Sequence, residues 1–316
     1  MGLIKKSNEI AIQRNVKMMV YGQAGMGKTT LALSAPNPLL LDFDNGVKRV
    51  NNAHLGDNVG IVQITNWQEV VTLLTTESAD LEPFDTIVVD TIGKMMDFII
   101  SYRCGGRQPR VQDWGTINSD FKWFVNALSG LGKHIVFVAH RDTRKEGDDT
   151  VFVPALREKS YSQIVTELDL LGYLEMKNEN GVQRRSITFD PTSRNDGKNT
   201  CQLPGVMWIN NILDQNGQPT GANDFIERQI IAKYQNMISI KEKAAEDYQK
   251  ALEEIKESVA NITDAKGANY FVEHIGDYKN LGNSVILFAR DLFTKKVAGL
   301  KLKYNKETKQ YEDATA

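Results

Sequence analysis

Several features are scarce in this chain of 316 residues, and each absence excludes a class of protein. The two cysteines, Cys104 and Cys201, form no CxxC pair and have no histidines at ligand spacing, so we expect neither a disulfide framework nor a zinc site. The first 17 residues lack the apolar core of a signal sequence, and no apolar run approaches a membrane span. The chain is therefore expected to be cytoplasmic, without a membrane partner.

An excess of either charge is also missing. The formal net charge of -2 means that any contact with DNA or RNA must use local basic patches. Hydrophobic residues make up 41% and charged residues 25%, close to the average of folded globular proteins. Because the length exceeds the usual size of one domain, we expect either a core domain with an appended region or two unequal domains.

The N-terminal part alternates between apolar runs and helical patterns. Val16 to Tyr21 is a short apolar run that leads directly into glycines, and Lys28 to Ser34 is predicted to form a helix that stops before Pro36. Later apolar runs are typical of strands buried on both faces: Leu39 to Leu41, Thr86 to Val89 and Ile135 to Ala139. Helices are predicted at Trp67 to Thr75, Ile92 to Tyr102 and Trp114 to Leu131. This alternation predicts an α/β domain with a mostly parallel sheet.

The second half changes character. The pair Asn180-Gly181 predicts a hairpin that adds antiparallel strands to the sheet. The stretch Pro191 to Gly221 is rich in turn-forming residues, so the boundary is placed between an α/β domain of residues 1–210 and a mainly helical region of residues 211–316. A long charged helix is predicted from Asp224 to Ala260, and another from Asn283 to Gly299, followed by a lysine-rich tail.

One loop carries the clearest chemistry. Gly22, Gly27, Lys28 and Thr29 fulfil the pattern G-x-x-x-x-G-K-[ST], in which backbone N–H groups surround the phosphates of a nucleotide. We expect Lys28 to neutralise the β- and γ-phosphates and Thr29 to ligate Mg²⁺, beside a helix N-terminus. The expected cofactors are therefore ATP and Mg²⁺. The residues predicted to contact the nucleotide are Gly22, Gln23, Ala24, Gly25, Met26, Gly27, Lys28, Thr29 and Thr30.

Polar residues follow three of the predicted strands. Asp90 ends one strand, where a carboxylate holds magnesium through water, although a strand-end cap is the alternative. Asp42 and Asp44 follow another, and Asp44, further into the loop, is the candidate that orients the attacking water, although acids are common in turns. His140 ends a third and is the candidate sensor of the γ-phosphate, or else a hydrogen-bonded structural histidine. The predicted catalytic residues are thus Lys28, Asp44 and His140.

Together these motifs resemble the RecA-like core of phage ATP-binding proteins, and the group that looks most similar is that of phage single-strand annealing recombinases. The resemblance covers about Val16 to Thr200 and rests on Tyr21 to Thr30, Leu41 to Gly46, Thr86 to Thr91 and Val136 to Arg141. It implies that Asp44 matches the acidic residue that activates water. His140 occupies the position of the γ-phosphate sensor, which is glutamine in RecA.

The resemblance also implies partners. RecA-like folds bind DNA through loops after the magnesium-binding strand and the sensor strand, which here are Arg103 to Asp113 and Arg141 to Thr150. The arginines expected to contact single-stranded DNA are Arg103, Arg107, Arg110, Arg141 and Arg144, unless the loops are simply solvated. It further implies a homo-oligomeric ring or filament, in which a neighbouring subunit supplies Arg194 or Lys198 to the ATP site.

The expected function is that of a phage recombination protein that binds and hydrolyses ATP, assembles on single-stranded DNA and promotes annealing or strand pairing. A phage-encoded chain would act in the host cytoplasm, with a single-strand binding protein as a further partner. The alternatives are a phosphotransferase acting on a small substrate, a helicase loader or motor, and a non-hydrolytic nucleotide-binding interaction module. The choice between ATP and GTP and the oligomer size stay open.

Overall fold

The computed structural model describes residues 13–56, 58–179 and 181–313. These residues form two compact units, one of Gln13–Gln235 and one that begins at Asn236. Residues 1–12 of the predicted domain and Asn180 of the predicted turn lie outside the described residues. Among the residues that are described, no helix combines the length and the apolar character that crossing a membrane requires.

The described residues of both units contain twelve strands and eight α-helices. The strands are β1 (Lys17–Gly22), β2 (Pro38–Asp42), β3 (Gly60–Gln63), β4 (Thr86–Asp90), β5 (His134–Glu146), β6 (Asp149–Pro154), β7 (Leu170–Glu179), β8 (Val182–Thr188), β9 (Lys198–Asn199), β10 (Val206–Ile209), β11 (Lys303–Asn305) and β12 (Gln310–Glu312). The α-helices are α1 (Lys28–Ala32), α2 (Trp67–Thr75), α3 (Ile92–Cys104), α4 (Asp113–Gly130), α5 (Glu158–Glu167), α6 (Ala232–Ala260), α7 (Ala265–His274) and α8 (Asn283–Gly299).

One large sheet organises the first unit, with strand order β10-β8-β7-β1-β5-β4-β2-β3. The strands from β7 to β3 in this order pair in parallel, whereas β8 and β10 extend the sheet by antiparallel pairing. Parallel strands have their carboxyl ends at one edge of a sheet, and the register places Gly22 beside His140 and Asp42 beside Asp90. The polar residues predicted to act together therefore lie at one edge.

Both faces of the sheet are covered, because the residues of its central strands are apolar on both sides. In β1, Met19 and Tyr21 belong to the core shared with helices α2, α3, α4 and α5. Met18 and Val20 belong to the opposite core, which includes Leu31 of α1 and a π-helical turn at Ile226–Ile231. The predicted α/β domain with a mostly parallel sheet and the mainly helical C-terminal region are confirmed.

The division between the units lies at Gln235, later than the expected boundary at residue 210. The segment after β10 returns to the first unit, where the Asn223 side chain donates to the Thr30 carbonyl at 2.9 Å and the Ile226 N–H donates to Ser34 Oγ at 2.9 Å. Ile226 is fully buried in the core beside α1. These contacts keep residues 211–235 with the large sheet and α1.

The prediction of a loop from Arg141 to Thr150 is wrong. Strand β5 continues to Glu146 and pairs antiparallel with β6, so this segment is a hairpin that turns at Gly147, whose φ is 63°. Asp142, Thr143 and Arg144 are all polar, so no apolar run marked this part of the strand. The lysine-rich tail likewise forms a hairpin of β11 and β12, in which Tyr304 and Tyr311 pack at 5.2 Å between ring centroids.

The second unit has its own core. Ile255 and Val259 of α6 are buried with Phe271 of α7 and Phe293 of α8, whose rings stack at 5.2 Å between centroids. The helix predicted from Asn283 to Gly299 is confirmed. Only part of α6 is buried in this core, since Ile255 is buried whereas Ala245 is exposed.

Candidate functional site

The glycine-rich loop begins where β1 ends and finishes at the start of α1. Gly25 and Gly27 have φ values of 78° and 79°, a left-handed conformation that disfavours residues with a Cβ. Gly27 precedes the first helical residue and accepts the Leu31 N–H at 3.0 Å. A Cβ on Gly22 would lie 2.5 Å from the Leu174 carbonyl oxygen, so the packing of β1 on β7 requires glycine there. The glycines of the P-loop predicted from Gly22 to Thr29 are thus favoured at their positions by backbone conformation or by packing.

Lys28 is buried beside this loop, with 6% of its surface exposed. Its ammonium donates to the Gln23 carbonyl at 2.9 Å, which uses one of its three N–H groups. Burial lowers the pKa of Lys28, and the carboxylates of Asp90 and Asp44 oppose that change. An ammonium in this position is suited to neutralise phosphate charge.

Thr29 and Asp90 meet across the site, since Thr29 Oγ1 donates to Asp90 Oδ2 at 2.5 Å. Asp90 is 3% exposed, and this burial raises its pKa to about 6, with Asp44 and Asp42 adding to the rise. A hydroxyl next to a carboxylate is a donor set that Mg²⁺ accepts. Within the described residues no cluster of three or more His, Cys, Asp or Glu suits a metal ion. The Thr29 hydroxyl and the Asp90 carboxylate are the groups that could hold magnesium here.

Asp42 and Asp44 have different roles in the structure. Asp42 is 1% exposed, and its carboxylate accepts the N–H groups of Gly46 at 2.9 Å and Val47 at 3.2 Å, so it holds the turn after β2. Asp44 Oδ1 is buried and has no hydrogen-bond partner among the described residues. A buried carboxylate oxygen without a partner is costly unless water or a ligand reaches it. Asp44 is therefore the acid that is available for chemistry.

His140 lies at the end of the parallel part of β5, beside Gly22 of β1. Partial burial lowers the pKa of His140, the charge of Lys28 lowers it further, and Asp44 opposes both. The imidazole is therefore neutral near pH 7. Lys28 and Asp44 lie near enough to His140 for their charges to act on its pKa, and His140 is in register with Gly22, where the P-loop begins.

One basic residue of this site was not predicted from the sequence. Arg185 lies on β8, in register with Met176 of β7 and Ile209 of β10. Its Nη1 atom is so close to the P-loop that a Cβ on Gly27 would lie 2.5 Å from it. Burial lowers the pKa of Arg185. Within the residues that the structure describes, Arg185 has no ion pair and no side-chain hydrogen bond. A single arginine on a strand forms no sequence motif, so the sequence did not predict its place in the site.

The arginines predicted to contact DNA mostly have partners within the chain. Arg103 makes two hydrogen bonds of 2.6 Å to Asp120, and Arg107 contacts Asp113 at 2.5 Å and 2.9 Å. Asp113 therefore has a lowered pKa. A DNA phosphate would have to compete with these carboxylates.

The remaining predicted DNA contacts divide into two kinds. Arg141 donates to Tyr173 Oη at 3.0 Å and stacks over Phe152, and Arg144 contacts Glu146 and Asp196. Arg110 is exposed and has no ion pair among the described residues. Arg110 is thus the predicted arginine that is most available to a phosphate.

Arg194 and Lys198 were the candidates to complete the ATP site of a neighbouring subunit, and their surroundings differ. The Lys198 ammonium donates to the carbonyls of Val165 at 2.9 Å and Thr166 at 3.2 Å, near the end of α5. Arg194 is exposed. Arg194 is therefore the better candidate of the two, because Lys198 is already bound to its own chain.

Comparison with known proteins identifies a family for most of the first unit. The family of AAA domains designated AAA_24 matches residues 14–201, which include the whole P-loop, Asp44, Asp90 and His140. The SPbeta prophage-derived uncharacterized protein YorG of Bacillus subtilis (strain 168) is 26% identical over 175 residues, which are 52% of this chain. The chain spans about half the length of that relative, 50%.

A solved structure is also similar, that of a KaiC-like protein from the hyperthermophilic archaeon Pyrococcus horikoshii OT3. It shares 12% identity and a TM-score of 0.35, over 55% of this chain and 77% of that one. The family match, by contrast, spans more than half of the chain and contains the P-loop. The protein described here therefore belongs to the AAA_24 family of AAA domains.

Proposed function

We propose that this protein binds ATP at the P-loop and hydrolyses it with magnesium. The observation that carries this proposal is the meeting of buried Lys28, the hydrogen-bonded pair of Thr29 and Asp90, and the unpartnered carboxylate oxygen of Asp44 at one sheet edge. Lys28 and the N–H groups of the loop hold the β- and γ-phosphates. Magnesium, held by Thr29 and Asp90, would offset the charge that develops on the phosphates.

Asp44 and His140 supply the remaining chemistry of this proposal. The Asp44 carboxylate accepts a hydrogen bond from the attacking water and takes its proton as the bond between the β- and γ-phosphates breaks. Neutral His140 donates a hydrogen bond to the γ-phosphate, and its position at the base of the β5–β6 hairpin lets it respond to the loss of that phosphate.

The test is ATP binding and turnover by matched variants. Lys28→Ala should lose binding, whereas Asp44→Asn should bind ATP and turn it over about 100-fold more slowly, the lower range for loss of a general base. Lys48→Ala, an exposed change in the neighbouring turn, is the control and should match the wild type. Wild-type turnover in Asp44→Asn would show that Asp44 is only a turn acid.

We further propose that ATP hydrolysis serves phage recombination, in which the protein assembles on single-stranded DNA and promotes annealing or strand pairing. The resemblance of its motifs to annealing recombinases supports this, as does the prophage origin in the name of its relative YorG. The loop between α3 and α4 contributes two glycines with positive φ, Gly105 and Gly106, next to exposed Arg110. Such a loop can follow a flexible strand.

The DNA proposal is tested by ATP turnover with and without single-stranded DNA across a salt series. Stimulation that fades as salt rises, and that Arg110→Ala reduces, would support it, because phosphate contacts release counterions. The matched control is Lys122→Ala, on the exposed side of α4. ATP turnover that is the same with and without DNA would favour a phosphotransferase. Absence of ATP turnover would favour a nucleotide-binding interaction module. Assembly into a ring or filament is measured by sedimentation in the same samples.

A further inference from the structure

The lysine-rich tail forms a cationic hairpin in the second unit. Six lysines lie within residues 295–309, and Glu307 is the acid in that stretch. Two of the six are bound within the unit, since Lys295 pairs with Asp291 at 2.6 Å and Lys296 donates to a backbone carbonyl at the end of α6 at 2.8 Å. The other four, called the hairpin lysines below, are exposed, and among the described residues their ammonium groups make no ion pair or hydrogen bond: Lys301, Lys303, Lys306 and Lys309.

The acids that follow in the tail have other partners. Glu312 lies opposite Lys303 in the hairpin, but its carboxylate accepts the Asn305 amide at 2.7 Å. The Asp313 carboxylate accepts the Ala265 N–H at the start of α7 at 3.1 Å. These two acids hold the hairpin together and to its unit, and neither forms an ion pair with a hairpin lysine.

The hairpin has a fixed shape. Tyr311 of β12 exchanges two hydrogen bonds with the Asn269 side chain of α7, at 2.7 Å and 2.9 Å. Its ring packs edge-on against Phe293 of α8, with 5.2 Å between centroids. In the turn, Asn305 Oδ1 accepts the Glu307 N–H at 2.9 Å. The lysines are therefore carried by a preformed element, so that only their side chains lose freedom when an anion binds.

Tyr304 of β11 adds an aromatic ring that is 51% exposed. Strand pairing places Tyr304 opposite Tyr311, on the face toward α8, and Lys303 on the other face. Because β12 is the strand that is bonded to α7, β11 is the outer strand, and a ligand that lies along its edge reaches both faces. Single-stranded DNA offers phosphates to the lysines and an unpaired base to the ring, whereas a duplex hides its base faces.

We propose that this hairpin binds single-stranded DNA, with the hairpin lysines on the phosphate backbone and Tyr304 against a base. This inference rests on the proposed assembly on single-stranded DNA and adds a contact surface beyond the family match of residues 14–201. Arg103 and Arg107 of the α3–α4 loop must leave their own carboxylates before they can contact a phosphate. The hairpin lysines need not, so the hairpin holds the strand without help from nucleotide.

The test is binding of a labelled oligothymidine to the full chain, followed by fluorescence anisotropy across a salt series without ATP. Changing all four hairpin lysines to glutamine should weaken binding. It should also flatten the slope of the logarithm of the binding constant against that of salt concentration by about 3, because each phosphate contact with a single strand contributes about 0.7. Lys303→Gln with Lys306→Gln is compared with its matched control, Lys243→Gln with Lys250→Gln, two exposed lysines of α6 that should not matter.

Variants of Tyr304 test the base contact. Tyr304→Leu should weaken oligothymidine binding about 5- to 100-fold without changing the salt slope, and Tyr304→Phe should keep the affinity of the wild type. A duplex of the same length should bind more weakly than the single strand. Equal binding of both, with Tyr304→Leu unchanged, would overturn the assignment to single strands. Lysine-dependent binding to phosphatidylserine vesicles, with none to oligothymidine, would overturn it in favour of a lipid surface.

ATP turnover separates this inference from the proposed function. Without DNA, the variant that lacks all four hairpin lysines should hydrolyse ATP at the rate of the wild type. If that variant also binds oligothymidine as the wild type does, the inference is overturned while ATP hydrolysis stands. If binding depends on the hairpin but DNA leaves ATP turnover unchanged, the inference stands, and the proposal that hydrolysis serves DNA pairing fails.

Discussion

Replacing Asp90 by asparagine should stabilise the nucleotide-free protein while it removes ATP hydrolysis. Asp90 is 3% exposed at the end of β4, and its carboxylate accepts a hydrogen bond from Thr29. Desolvation by burial raises the pKa of Asp90 to about 6, and the nearby charges of Asp44 and Asp42 act in the same direction. The charge that magnesium needs is therefore held at a cost in stability.

The size and the pH dependence of that cost follow from the pKa. A rise from the ordinary value of 3.8 to about 6 corresponds to about 3 kcal/mol. Because the folded state holds this proton more tightly than the unfolded state, the contribution of Asp90 to stability falls as pH rises from 3.8 to about 6 and stays low above that. Asparagine carries no charge at any pH. The variant should thus gain about 1 to 3 kcal/mol at pH 8 and little near pH 4.

Urea unfolding between pH 4 and pH 8, without nucleotide and with a chelator, measures this difference. Tryptophan fluorescence follows the first unit, because all 4 tryptophans lie between Trp67 and Trp208. Asp97→Asn, which removes an exposed carboxylate from α3, is the control and should change stability by less than about 0.5 kcal/mol. A variant that is no more stable than the wild type at pH 8, or equally stabilised at pH 4 and pH 8, would refute the reasoning.

Three further changes address other parts of the structure. Gly46→Ala would place a Cβ 2.7 Å from Asp44 Oδ1, so kcat should fall about 10- to 100-fold with KM little changed; an unaltered kcat in steady-state assays would argue against Asp44. Tyr21→Phe removes hydrogen bonds to the carbonyls of Phe152 and Asp196, so urea unfolding should show a loss of about 1 to 3 kcal/mol, and no loss would contradict the geometry. Phe293→Ala should lower the free energy of unfolding of the C-terminal core by about 3 to 5 kcal/mol, seen as faster amide exchange in its helices; unchanged exchange would contradict this role of Phe293.

The central sheet was predictable because its strands are buried on both faces. Thr86 to Val89 and Leu39 to Leu41 are short apolar runs with polar ends, and both are strands of the sheet. By contrast, β3 at the edge of the sheet alternates between half-buried and exposed residues, and Ile61 is exposed, so no apolar run marks it. Burial of both faces, more than strand propensity, made these elements recognisable.

The positions of the residues proposed to be catalytic were predictable for a related reason. In a parallel sheet the residue after each strand lies at the same edge, so the positions of Asp44, Asp90 and His140 in the sequence place them near the P-loop. The partners of Arg103 and Arg107 could not be predicted. They depend on how α4 packs against α3, which brings Asp120 to Arg103 across 17 residues of chain.

The two sides of the site differ in where they come from in the chain. The family match of residues 14–201 contains the P-loop and the acids that follow the parallel strands, whereas Asn223 comes after it. Arg185 lies within the match but on an antiparallel strand added beyond β7. The residues proposed to hold the phosphates and magnesium therefore lie in the part shared with the family, whereas the segment that packs on α1 through Asn223 lies outside that part.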